Sequence, residues 1–345
     1  MADRVGDADF MASFTMNVRP LVVLLDRGYM HRMLDDEVPP KYVVFLSQLL
    51  TRPFDELGTE LLVSVCNQVA LLSQSEFQRQ SLLNSGALLP LIESLRSDND
   101  VLLLAVGKAL INLSSGNLAA KDAIVNEGGV RSLIPHLLNK SDELARAFCV
   151  LLKNCLTAPE LRERIVNDGA VGPIVKLLHR TEILGAQRSD EVVAAAAAAV
   201  WNVSAHDGAR TIVRKERGVE ALVMQLRESS SEQVWQKCAG CLMSMAANSD
   251  AVKHLVGEEM GVPALSQIVI TKVGAGESLN GWKVPALKAC LGALAVLSSD
   301  ERNMATMRAE GLDQQVEKYL KVKDDKVAAF VKQLTERLFA QHAKD

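Results

Sequence analysis

Aromatic residues are scarce in this chain of 345 residues: three Trp, three Tyr and eight Phe make up 4%, against 48% for all apolar types together. Buried surface must therefore come from Leu, Val, Ile and Ala, a composition that suits helix packing. Alternating apolar–polar runs are missing as well, because Val and Ile recur with a 3.6-residue period, and no β-sheet is expected. No apolar stretch approaches the roughly 20 residues that span a bilayer; the longest, Leu21 to Leu25 and Val192 to Val200, fall well short. Long blocks of like charge are absent and the formal net charge is −4, which argues against binding a nucleic-acid backbone as the main task. The opening MADRVGDADF carries acids where a leader peptide needs basic residues, and Ala2 stands where myristoylation needs glycine, so a cytoplasmic chain is expected.

The chemistry of catalysis is thin. Histidines 31, 136, 179, 206, 254 and 342 lack the i, i+4 pairing of a helical metal site. Cysteines 66, 149, 155, 238, 241 and 290 fall among helical apolar positions, where a thiol acts as a small hydrophobe. Cys238 and Cys241 have CxxC spacing inside QVWQKCAGCLMSM, which reads as an i, i+3 pair in the core. VGAGES lies outside any strand–turn–helix context, and no Walker sequence occurs. No catalytic residue, metal or cofactor is expected.

What is present is a repeat. A Gly followed by an apolar L-x-x-L-L run returns six times, as GALLPLIESL, GGVRSLIPHLL, GAVGPIVKLL, RGVEALVMQL, MGVPALSQIV and EGLDQQVEKYL. Successive differences between Gly86, Gly128, Gly169, Gly218, Gly261 and Gly311 are 42, 41, 49, 43 and 50, and the shorter three suit helical repeats of the HEAT or armadillo kind. A chain reversing between two short helices needs a residue tolerant of positive φ, the role assigned here to glycine. Polar connections such as RSDND, NKSDE and RESSSE then cap a third, longer helix.

Those third helices share an asparagine, in ALINLSS at Asn112, LLKNCLT at Asn154 and VWNVSAH at Asn202. In this pattern the sequence resembles the armadillo-repeat family over roughly residues 41 to 340. The resemblance implies an all-α, right-handed superhelical solenoid of about six three-helix repeats whose third helices line a concave groove. It also implies that the asparagines hydrogen-bond the main chain of an extended peptide. By register that role falls to Asn112, Asn154 and Asn202, while the equivalent places elsewhere hold Leu71, Ser244 and Val296. An asparagine in a helix can equally bond to the adjacent repeat, so both readings stand. Importin-α-like receptors carry a tryptophan four residues before the asparagine; Lys108, Val150 and Ala198 stand there instead, which argues against nuclear-signal binding.

The expected organisation is a flexible arm at 1–16, a capping helix and turn at 17–40, the solenoid at 41–340 and a tail at 341–345. The helix KVAAFVKQLTERLF seals the C-terminal end. Extra length at 180–190 and 270–283 is assigned to loops between second and third helices. Asn67, Lys108, Asn112, Lys153, Asn154, Trp201, Asn202 and Ser244 are the candidate groove residues, with Lys108 and Lys153 lending a mildly basic tone. The expected partner is an extended or helical protein segment, held by a monomeric scaffold or adaptor without nucleic-acid binding or membrane insertion. The alternative is a regulator, an exchange or dissociation factor, of a small GTPase or an Hsp70-type chaperone.

Overall fold

The computed structural model describes residues 40–51, 58–179, 188–273 and 283–339. The expected arm 1–16, most of the cap at 17–40 and the tail 341–345 lie outside them. No strand occurs among the described residues, and the chain is an all-α solenoid of three-helix repeats. It divides into two compact units, Met1–Asp168 and Gly169–Asp345.

The first unit opens with α1 (Pro40–Leu50) and α2 (Thr59–Leu72), a second and third helix. Pro40 fits at the helix start, where its missing N–H costs no hydrogen bond. Two repeats follow: α3 (Glu76–Asn84), α4 (Leu88–Ser94) and α5 (Asp100–Ser114), then α6 (Leu118–Asn126), α7 (Gly129–Leu133) and α8 (Asp142–Leu156). A 3-10 turn, Ile134–His136, extends α7, and α9 (Arg162–Asn167) closes the unit. The third helices α2, α5 and α8 pack side by side in that order.

The second unit holds α10 (Val171–Lys176) and α11 (Asp190–Val203), then α12 (Asp207–Lys215), α13 (Gly218–Glu228) and α14 (Glu232–Ala246). The next repeat is α15 (Asp250–Glu258), α16 (Gly261–Gln267) and α17 (Lys283–Leu297), and the last is α18 (Glu301–Ala309), α19 (Leu312–Gln315) and α20 (Asp325–Phe339). Here α11, α14, α17 and α20 form the row of third helices. Val327, Val331, Leu334 and Leu338 of α20 are buried, as the amphipathic pattern demands, and Phe330 is half-buried.

Capping fixes where these helices begin. Asn99 Oδ1 accepts from Leu102 N at 3.0 Å, Asn117 Oδ1 from Ala120 N at 2.8 Å and Asp300 Oδ1 from Asn303 N at 3.0 Å. Each satisfies an N–H that the first helical turn leaves without a partner. His206 does the same for α12, its Nδ1 accepting from Ala209 N at 3.4 Å.

The turn between first and second helices departs from the glycine reading in two repeats. Gly86, Gly128, Gly169 and Gly311 do hold positive φ, but at the other two turns Arg217 (φ 57°) and Met260 (φ 65°) take the left-handed conformation. Gly218 and Gly261 come one residue later and open the second helix. Their glycine is required by space: a Cβ at Gly218 would stand 2.6 Å from Val213 Cγ1, and one at Gly261 2.5 Å from Val256 Cγ1. The repeat thus needs a left-handed residue followed by a small one, and glycine serves whichever demand is stricter. At Gly86 the main chain closes the turn, with Gly86 N donating to Leu83 O and Ala87 N to Leu82 O, both at 3.2 Å.

The insertion expected at 270–283 is helical at its start, since Ile268–Val273 continues α16 as a π-helix. Tyr319, itself buried, donates from its hydroxyl to Val269 O at 2.5 Å and ties this segment to the last repeat. Residues 274–282, like 180–187 of the other insertion, lie outside the described residues.

Candidate partner-binding faces

One side of each third helix packs on the first and second helices of its repeat, and the opposite side carries the half-exposed residues. This inner face is where the candidate residues fall. The position thirteen residues after the N-cap recurs from Asn99 to Asn112, Ser141 to Asn154, Ser189 to Asn202, Ser231 to Ser244 and Asp324 to Arg337.

In the first unit the asparagines are half-buried and engaged with the neighbouring repeat. Asn112 Nδ2 donates to Ala70 O at 2.7 Å, and Asn154 Nδ2 donates to Ile111 O at 3.2 Å and to Ser114 Oγ at 3.4 Å. Of the two readings left open by sequence, the structure shows the bond to the adjacent repeat. The Asn112 amide keeps a second N–H, and both amides keep a carbonyl oxygen, for other chemistry. Asn67 is exposed on α2, and Lys153 is half-buried on α8. Lys108 does not confer a basic tone, because its Nζ pairs with Glu143 Oε1 at 3.0 Å, with both side chains exposed. Lysine and glutamate there lie on adjacent third helices, and their charges cancel.

In the second unit the third helices meet over small residues. Ala194 to Ala199 are all buried, so α11 presents almost no side-chain relief before Trp201 and Asn202, both half-buried. The Trp201 indole lies across Gly240 of α14, where a Cβ would come within 2.6 Å of the ring. Met243 of α14 lies across Gly292 of α17 in the same manner, its Sδ 2.6 Å from a Cβ placed there. Glycine thus permits α14 and α17 each to receive a large side chain from the third helix before it. Ser244 is half-buried beside Met243.

Sequence reasoning missed Arg337, which occupies the asparagine register of the last repeat and donates from Nη1 to Ala295 O at 3.0 Å. Counting thirteen residues from the capping Asp324 would have found it. It also missed Asn303, buried on α18, whose Nδ2 donates to Lys253 O at 2.9 Å. An open cavity of about 640 Å³ near that residue is lined by Asp250, Lys253, His254, Asp300 and Arg302 among others. Its Lys253 lies 2.7 Å from Asp250, and His254 Nε2 lies 3.0 Å from Glu258. Among the described residues no cluster of three His, Cys, Asp or Glu could hold a metal ion, and no helix is long and apolar enough to cross a membrane.

This arrangement, in each unit a row of third helices packed on shorter first and second helices, is that of an armadillo-like repeat protein. An engineered protein of known structure superposes with a TM-score of 0.71 over 86% of this chain and 68% of its own, at 25% identity. A designed armadillo repeat protein in complex with the peptide (KR)4 gives a TM-score of 0.58 at 24% identity, covering 72% of this chain and 99% of that one. No protein-family model matches the chain. Over 122 residues, 33% of the chain, the sequence is 28% identical to Rap1 GTPase-GDP dissociation stimulator 1-A of Xenopus laevis and 26% identical to the 1-B form. The match spans 20% of each of those relatives.

Proposed function

We propose that this chain is a non-enzymatic, cytoplasmic, monomeric scaffold that holds a partner protein against the inner faces of its third helices. The observation that carries this reading is the row of half-exposed side chains on those helices, on the same fold as a designed protein in complex with a peptide. A stacked repeat array offers an extended surface of this kind without any catalytic group. Photo-crosslinking tests it. A benzoylphenylalanine placed at Asn67 or Met243 on the inner face should capture the same protein from a cell extract, and one at the outer, exposed Phe77 should not. Capture from Phe77 alone would overturn the assignment.

A second reading is favoured by the likeness to the Rap1 GTPase-GDP dissociation stimulators, namely that the partner is a small GTPase whose nucleotide exchange the chain regulates. This reading needs no catalytic side-chain motif. Release of a fluorescent GDP analogue from purified Rap1, with and without the chain, decides it. Acceleration supports the regulator; an unchanged rate across a panel of small GTPases leaves the scaffold reading alone. The Hsp70-type alternative gains no support from these similarities.

A further inference from the structure

Among the described residues, the inner face of the second unit brings apolar surface and an unmatched charge together around Gly292 of α17. Gly292 of α17 is bracketed by Met243 from α14 and by the Phe330 ring from α20, whose Cε2 and Cζ lie 3.0 Å from where a Cβ would stand. Ala295, three residues further on, shares that face of α17 and lies about 4.5 Å along the axis. Its carbonyl accepts from Arg337 Nη1 at 3.0 Å and from Gln333 Nε2 at 3.3 Å. The guanidinium therefore ends one helical turn from the Met243–Phe330 bracket.

The charges around it do not balance. Lys288, one turn before Gly292 on α17, is matched by Asp324 at 3.0 Å, and Glu336 beside Arg337 is engaged with Lys332 at 4.0 Å. The partners of Arg337 are the Ala295 carbonyl and the Ser298 hydroxyl, both neutral, and both bonds use Nη1. Among the described residues Nε and Nη2 have no acceptor. A half-exposed guanidinium with two donor nitrogens left over suits a carboxylate, which can take one N–H from each as a bidentate pair.

We propose that this place binds an acidic segment of a partner protein, with a bulky apolar side chain against Met243 and Phe330 and a side-chain carboxylate on Arg337. The proposal rests on the reading that the inner faces bind protein, and it adds the chemistry selected at this end of the chain. Earlier repeats with asparagine at the same register offer an amide there. Only the guanidinium discriminates by charge.

Three fluorescein-labelled octapeptides, (Glu-Leu)4, (Gln-Leu)4 and (Lys-Leu)4, all amidated at the C-terminus, test this by anisotropy on the full chain. The expected order is (Glu-Leu)4 tightest and (Lys-Leu)4 weakest, about tenfold or more apart, as a charge-assisted pair implies. Arg337→Gln, confirmed folded by its melting curve, should bring the acidic and neutral peptides to within about twofold. Met243→Ala should weaken both without changing their ratio. Equal or tighter binding of (Lys-Leu)4 to the unaltered chain overturns the proposal with no variant needed, and so does an acidic preference that survives Arg337→Gln. If the peptides show no acidic preference while crosslinks from Asn67 and Met243 persist, this site fails and the inner-face reading stands. Loss of the crosslinks would sink the wider reading itself.

Discussion

The side-chain amide of Asn112 donates a 2.7 Å hydrogen bond to the main-chain carbonyl of Ala70, so a residue in one repeat closes the end of the third helix of the repeat before it. Asn154 does the same to Ile111, and Arg337 does so to Ala295 in the second unit. These carbonyls belong to the last turn of a helix, where no intrahelical N–H reaches them. The recurring polar residue on the third helix therefore has a structural task in the free protein, whatever it also offers to a partner.

Asn112→Ala should lower stability by about 1 kcal/mol, because the Ala70 carbonyl loses its amide donor and keeps only the Ser73 hydroxyl, at 3.0 Å. Urea unfolding followed by circular dichroism measures this as a lower midpoint. An unchanged midpoint would mean that water replaces the amide at no cost, leaving peptide binding as the residue's only use.

Neighbouring residues at two turns should respond with opposite signs. Arg217→Gly and Met260→Gly relieve a left-handed backbone and should stabilise by about 0.5 kcal/mol, the strain relief being offset in part by the freer unfolded chain. Gly218→Ala and Gly261→Ala should destabilise by about 1–3 kcal/mol, since the new methyl meets Val213 or Val256 inside contact distance. Thermal melts of the four variants would show the pattern, and a stabilising Gly218→Ala would contradict the packing described above.

All six cysteines are buried, and burial pushes the thiols of Cys66, Cys155, Cys241 and Cys290 up to about 12. The folded state thus holds the protonated thiol more tightly than the unfolded chain does. Its contribution is complete below the unfolded value near 9.0 and is lost as pH rises from there towards about 12. At pH 8 a thiol reagent should label the native chain negligibly and label it fully in urea, and melting temperature should fall between pH 9 and pH 11. Rapid native labelling of these positions would show that the third helices open readily.

Asp324 caps α20, accepting from Val327 N at 3.1 Å, and pairs with Lys288. The Val327 amide first and the lysine second hold its carboxyl below the ordinary carboxylate value. Stability from this group is therefore present above the unfolded value and is lost as pH falls through the depressed one. Asp324→Ala should cost about 1 kcal/mol and loosen the last helix, which hydrogen exchange of the α20 amides would report. Asp324→Asn should keep most of the cap and remove the acid dependence.

Much of this was legible in the chain. The six returns of glycine and L-x-x-L-L set the helical register, and the polar caps at Asn99 and Ser141 fixed where third helices begin. The candidate faces were legible only in part. Trp201 and Met243 could be placed on third helices by period. Their seats on Gly240 and Gly292 could not, because those glycines belong to the following repeat. The neutralisation of Lys108 was hidden for the same reason: its partner Glu143 is 35 residues away.

The amino-acid sequence by itself determined the helices, their periodicity and the positions of their ends, since propensity, capping and apolar period act within a few residues along the chain. Only the tertiary structure decided which donors and charges remain available on the inner faces. Asn112, Lys108 and Arg337 look alike as polar residues at helical positions. Their different availability follows from which carbonyl or carboxylate the next helix brings to each, and that is set by packing across repeats.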